Sequence, residues 1–123
     1  MPAVQGGFTS AFVEGIPLVE VRGDLDLTNV REFERVLERA ARTDRHGVIV
    51  SLAGTAYFDS KGVHALLRFA ERLATTRQRL MVVAPRGESA RRILEIAGVV
   101  ELMPIYESVQ EALGSVHHQF PDG

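Results

Sequence analysis

Cysteine is absent from all 123 residues. That excludes disulfides, thiol nucleophiles and thiolate metal sites. No run of 18 apolar residues occurs, so nothing in the sequence reads as a membrane-spanning helix. Lysine is nearly absent as well: thirteen of the fourteen basic residues are Arg, and the single Lys is Lys61. Nor is there a surplus of positive charge, since 14 Lys and Arg face 16 Asp and Glu for a net charge of −2. A weakly acidic chain has no electrostatic footprint for nucleic acid and no polybasic patch for anionic lipid. The first residues lack the basic and apolar regions of a secretory signal. Neither G-x-x-x-x-G-K-[ST] nor G-x-G-x-x-G is present, so no glycine-rich loop stands ready to cradle phosphates. These absences lead us to expect a soluble, cytoplasmic protein with no nucleic-acid partner, no membrane insertion and no cofactor.

What is present reads as one globular domain. The apolar fraction is 46% and the charged fraction 24%, both ordinary for a folded chain. A chain of this length buries roughly two-thirds of its surface on folding. Residues 1–7 and 117–123 read as flexible ends around a domain at 8–116. Phe8 to Val13 and Pro17 to Val21 are short apolar runs broken by Glu14-Gly15, a hairpin signal. Gly23 to Asp26 reads as an acidic turn, with Thr28 or Asn29 placed to cap the next helix. Val30, Phe33, Val36, Leu37, Ala40 and Ala41 form one apolar stripe, which predicts a helix over 30–42. Val48 to Leu52 is a buried-strand candidate, followed by a turn, G-T-A-Y-F-D-S-K-G. A second stripe (Val63, Leu66, Leu67, Ala70, Leu73) predicts a helix over 60–75. Leu80 to Ala84 is another central strand. A third helix spans 88–96, with Ala90, Ile93, Leu94 and Ala97 inward, Arg91-Arg92 outward, and Gly98 placed to stop it. A short edge strand within 99–105, limited by Pro104, and a helix from Glu107 to about Leu113 complete the chain. Strands alternating with helices imply right-handed crossovers. The expected fold is α/β: a mixed, mainly parallel sheet of 4–5 strands with about four helices.

In such sheets chemistry gathers at the loops beyond the carboxyl ends of the strands. Two loops stand out, R-G-D-L-D-L-T at 22–28 and Y-F-D-S-K-G at 57–62. If their strands are neighbours, Asp24, Asp26 and Asp59 lie near Ser60. Ser60 sits where an N-cap belongs, and its hydroxyl would then accept a backbone N–H bond worth about 1 kcal/mol. The alternative is a phosphoacceptor, whose phosphate would meet free N–H groups and the positive end of the helix dipole. A Ser nucleophile fits poorly: Phe58 stands where a nucleophile elbow needs Gly, and His64 has no clear orienting acid. The three carboxylates also fit a cation poorly without a phosphate loop, and Asp59 can support the turn through its own backbone bonds. His117-His118 supplies too few ligands for a metal. Lys61 reads either as an exposed side chain or as a contact for an acidic partner surface.

At these residues the sequence resembles a STAS domain of the anti-sigma factor antagonist group. Three segments carry the resemblance. Val21 to Thr28 resembles the family's G-E-L-D loop, with Asp24 in place of Glu. Val50 to Gly62 resembles its strand followed by D-S-x-G. Arg91 to Glu101 resembles its late helix, ending in Gly before a short return strand. The resemblance implies a single STAS-like domain and a switch rather than an enzyme. In it, Ser60 is the phosphoacceptor, Asp24, Asp26, Thr28, Asp59 and Gly62 form its surroundings, and Lys61, Val63 and His64 face the partner. The unphosphorylated protein would bind an anti-sigma factor that is itself a serine kinase. Phosphorylation would release it, and a metal-dependent serine phosphatase would reset it. Lys61 and His64 depart from the small residues common in the family. The alternative implied function is a constitutive STAS subunit of a transporter or stress-sensing complex, docking a partner without phosphorylation.

Overall fold

The computed structural model describes residues 3–5 and 7–119. Its elements are, in order, β1 (Ala3–Gln5), β2 (Phe8–Val13), β3 (Ile16–Val21), β4 (Gly23–Leu25), α1 (Val30–Ala41), β5 (Gly47–Ser51), β6 (Thr55–Phe58), α2 (Ser60–Thr75), β7 (Arg79–Val83), α3 (Ser89–Ala97), β8 (Ile105–Tyr106) and α4 (Val109–Gln119). The main sheet has the order β1-β2-β3-β5-β7-β8. The β1–β2 and β2–β3 pairs are antiparallel, and the β3–β5, β5–β7 and β7–β8 pairs are parallel. The expected α/β architecture, a mixed and mainly parallel sheet with four helices, is what forms.

Alternation along the central strands divides the core in two. Val48 and Val50 of β5 and Leu80 and Val82 of β7 face one side, with buried residues of α1, α2 and α3. Ile49, Met81 and Val83 face the other, against Ala112, Leu113 and Val116 of α4. Every residue of β5 is buried, as a parallel strand covered on both faces should be. Helices α1 and α2 lie side by side on the first face, bridged at their solvent edge. Glu34 pairs with Arg68 at 2.8 Å and Glu38 with Arg72 at 2.7 Å. The like-charged Glu34–Glu38 spacing on α1 is thus matched by an arginine pair at the same spacing on α2. Each exposed pair contributes only about 0.2–1 kcal/mol; the buried stripes carry most of the association.

Several details differ from the sequence expectations. Ala3–Gln5, read as a loose end, is a strand beside Phe8–Ser10, a three-residue segment too short to show a period. Residues 117–119, read as the start of a tail, lie within α4; residues 120–123 are outside the described residues. The late strand follows Pro104 rather than preceding it. Arg91 is not outward: its side chain is only 12% exposed, and its guanidinium donates to the Ala84 carbonyl at 3.0 Å and to Glu107 at 3.1 Å. Ala97, expected inward, is exposed, while Gly98 stops α3 as expected, at φ 73°. The segments 23–26 and 54–59, expected to be turns, contain β4 and β6, which form a separate parallel pair.

Leu66 is wholly buried at the centre of the α2 stripe. Leu66→Ala should lower stability by about 2–5 kcal/mol, through lost burial and the cavity left behind, as read by urea denaturation.

Candidate functional site

Strands β3 and β5 each continue, after a short break, into β4 and β6. The β4–β6 pair aligns Asp24 with Tyr57 and Leu25 with Phe58. Leu25 is fully buried and Phe58 nearly so; they anchor the pair while the alternate residues face out. The Asp59 N–H reaches the Leu25 carbonyl at 3.4 Å. The chain segments leaving β4 and β6 therefore start side by side, which brings the Asp26 loop next to Asp59 and the start of α2.

The first loop is held by its own polar groups. Asp26 Oδ1 accepts from the Thr28 N–H at 2.9 Å and from the Thr28 hydroxyl. Asn29 braces the loop from the far side: its Oδ1 accepts from the Asp26 N–H at 3.0 Å and its Nδ2 donates to the Asp24 carbonyl at 2.8 Å. Asn29 occupies the cap position of α1 but makes no side-chain cap bond; its side chain organises the loop instead. The two Thr28 bonds, the hydroxyl's first and the N–H's second, hold the Asp26 carboxyl below the usual aspartate range, against a small opposing effect of desolvation.

The second loop corrects one expectation. Asp59, not Ser60, is the N-cap of α2: its backbone is extended, and its Oδ1 accepts from the Lys61 N–H at 2.9 Å and the Gly62 N–H at 3.4 Å. Asp59 stands just outside the helix with extended backbone, the position from which a side-chain oxygen accepts from amides two and three residues on, whereas Ser60 is already helical. Ser60 is the first helical residue and is exposed; its hydroxyl makes no hydrogen bond to another described residue. A group attached there does not meet free helix amides at 61–63. The Gly62 and Val63 N–H groups also donate to the Asp59 carbonyl, at 3.1 and 3.2 Å.

The other sequence candidates separate into surface and support. Lys61 and His64 are exposed, and His64 is one turn on from Ser60, on the same face of the helix. Val63, expected to face a partner, is only 4% exposed and belongs to the core; the α2 stripe it starts points to the sheet. Gly62 is buried, and a Cβ there would fall 2.7 Å from the Phe58 ring and 3.1 Å from Leu25. The glycine lets the first turn of α2 close on the β4–β6 pair. Asp24 is exposed and Asp26 half-buried. Among the described residues no three His, Asp or Glu side chains gather into a metal-ligand set.

Sequence reasoning missed two apolar neighbours of this surface. Leu27 is 68% exposed in the first loop, and Tyr57 is 53% exposed on β6. For Tyr57 the signal was available: once 55–58 is a strand, an inward Phe58 forces its neighbour outward.

Two substitutions test this geometry. Gly62→Ala should destabilise the protein by about 1–3 kcal/mol and disturb Phe58, read by thermal melting and by the ring resonances. Thr28→Val removes the hydroxyl bond to Asp26 and should move that carboxyl's pKa up in an NMR titration. The sign follows from linkage: a depressed carboxylate stabilises the fold above its unfolded pKa, and this is lost as pH falls through the folded value. The variant should therefore lose its advantage of charge on Asp26 at a higher pH than the parent.

Comparison with known proteins bears on the family and the fold. The STAS domain model matches residues 8–112. The anti-sigma-B factor antagonist of Staphylococcus epidermidis is 30% identical over 92 residues, which cover 75% of this chain and 84% of that protein. The fold superposes on an anti-sigma factor antagonist from Mycobacterium paratuberculosis with a TM-score of 0.79 at 21% identity, over 89% of this chain and 92% of that one. It also matches the phosphorylated form of the Bacillus cell-fate determinant SpoIIAA, with a TM-score of 0.66 at 20% identity, over 89% and 98% of the two chains. With a family model spanning most of the sequence and a named relative at this identity, the chain belongs to the STAS domain family, among its anti-sigma factor antagonists.

Proposed function

We propose that the protein is a phosphorylation-controlled binding module, not an enzyme, acting in the cytoplasm. Unphosphorylated, it binds an anti-sigma factor that is also a serine kinase; transfer of a phosphoryl group to Ser60 releases it, and a metal-dependent serine phosphatase restores the binding form. The observation that carries this reading is the exposed Ser60 hydroxyl at the first position of α2, beside an Asp59 that already caps the helix. The similarity in fold to SpoIIAA, a relative whose phosphorylated form has been solved, supports the same chemistry.

The physical mechanism is electrostatic. A phosphoserine adds about −1.5 to −2 charges at neutral pH. Because Asp59 already takes the amides of Lys61 and Gly62, the helix end offsets that charge less than an uncapped one would, and the remainder is directed at the partner. Two charges facing one partner carboxylate at about 6 Å, in an effective dielectric near 20, repel by a gross energy on the order of 5 kcal/mol. After screening, about 2–3 kcal/mol is still roughly 30- to 150-fold in affinity. No refolding is required. Lys61 and His64 flank the hydroxyl as the nearest cationic or titratable side chains on α2, so they set how much of that charge a partner meets.

The test combines phosphorylation and binding with the cognate kinase. Incubation with ATP should place one phosphate on the peptide holding Ser60, by mass analysis, and none on Ser60→Ala. Ser60→Asp should weaken the complex at least tenfold in a titration. Stoichiometric phosphorylation of Ser60→Ala would refute the site. An affinity unchanged in Ser60→Asp would point instead to the constitutive subunit that docks without phosphate.

A further inference from the structure

A cavity of about 460 Å³ opens between the β2–β3 hairpin and the C-terminal half of α1. The hairpin register sets Phe12 directly across from Pro17 and Ser10 across from Val19. Phe8 shares the parity of Phe12 along β2 and packs against Phe33 of α1, ring centroids 5.4 Å apart. The Phe12–Pro17 pair therefore projects on the α1 side of the sheet. At the Phe8 end α1 covers that surface completely, leaving Phe8 1% exposed, whereas at the Phe12 end the ring is 61% exposed. Pro17 and Val19 make the floor of the gap, Val36 and Ala40 its wall and Phe12 its lip.

The polar side chains of this cavity are few, and the only charged one is basic. Arg39, in the last turn of α1, lines it with Ser10 and Thr43, and no Asp or Glu does. The Thr43 hydroxyl is already committed to the Ala40 carbonyl at 2.7 Å. A guanidinium has five N–H donors, so Arg39 can keep an intramolecular partner and still present a donor pair to a carboxylate. Small-molecule sites span about 300–1,000 Å³, mostly apolar with a few polar groups that fix orientation, and this gap has that size and composition. A nucleotide or sugar would need a fuller set of donors and acceptors than it offers.

We infer that this cavity binds a small amphipathic carboxylate, with its hydrocarbon body along Phe12, Pro17, Val36 and Ala40 and its anionic head on Arg39. The hairpin turn and the end of α1 lie where β3 begins, at the opposite end of the sheet from the loop that carries Ser60. Occupancy therefore does not obstruct the Ser60 surface proposed to meet a protein partner, and the inference stands or falls independently of phosphorylation.

Decanoate is the probe, titrated into the unphosphorylated full chain alone and followed by amide chemical shifts. Saturable shifts should concentrate at residues 10–19 and 36–43, with a Kd of about 0.1 mM or tighter. Decanol, which lacks the charge, should bind at least about fivefold more weakly. Arg39→Gln should weaken decanoate by about tenfold while leaving decanol unchanged. Ala40→Phe, which fills the gap, should abolish binding of both, with thermal melting to verify that each variant is folded. The absence of saturable shifts, or shifts centred on residues 57–64, overturns the site. Equal loss of decanoate and decanol in Arg39→Gln overturns the carboxylate assignment.

Discussion

The parallel pairing of β4 with β6 holds together two loops that are about thirty residues apart in sequence. Each of these strands is too short to stand alone. Their stability comes from Leu25 and Phe58, which sink into the core and are roofed by the first turn of α2, where Gly62 leaves room for the Phe58 ring. A small apolar contact thus fixes where the polar surface begins. The Asp26 loop and the Asp59–Ser60 corner are neighbours because the two chain segments enter them from paired backbone.

Once that registry is set, hydrogen bonding decides what the corner can do. Asp59 takes the cap, which leaves the Ser60 hydroxyl without a structural duty and directed to water. Asp26 is tied to Thr28, and Asn29 ties the same loop to its own backbone. Such a corner is cross-braced by hydrogen bonds and carries negative charge before any modification. An exposed hydroxyl there suits the proposed switch, because added charge changes the outward field without the fold having to move.

Helix α1 links the Ser60 corner to the cavity beside Phe12. Its N-terminus closes the Asp26 loop, and its C-terminal half leaves the hairpin partly uncovered. Its middle is pinned by buried Phe33, Val36 and Leu37 and by the paired glutamates that meet Arg68 and Arg72 of α2. The helix is thereby packed on the sheet and joined at its solvent edge to the helix that begins with Ser60.

Much of this was legible in the chain itself. The apolar stripes located α1, α2 and α3 to within a residue or two, because a helix that buries one face must repeat its apolar residues at three and four. Continuous apolar runs marked β5 and β7 for the same reason, since strands covered on both faces have no wet side. The G-D-L-D and D-S-x-G segments pointed to the two loops that the β4–β6 pair sets side by side. The pairing of β4 with β6, the choice of Asp59 over Ser60 as cap, the burial of Arg91, and the gap beside Phe12 were settled only in three dimensions. Local sequence records which faces are apolar; which backbone lies beside which, and which of two adjacent oxygens reaches an amide, depend on contacts between segments distant along the chain.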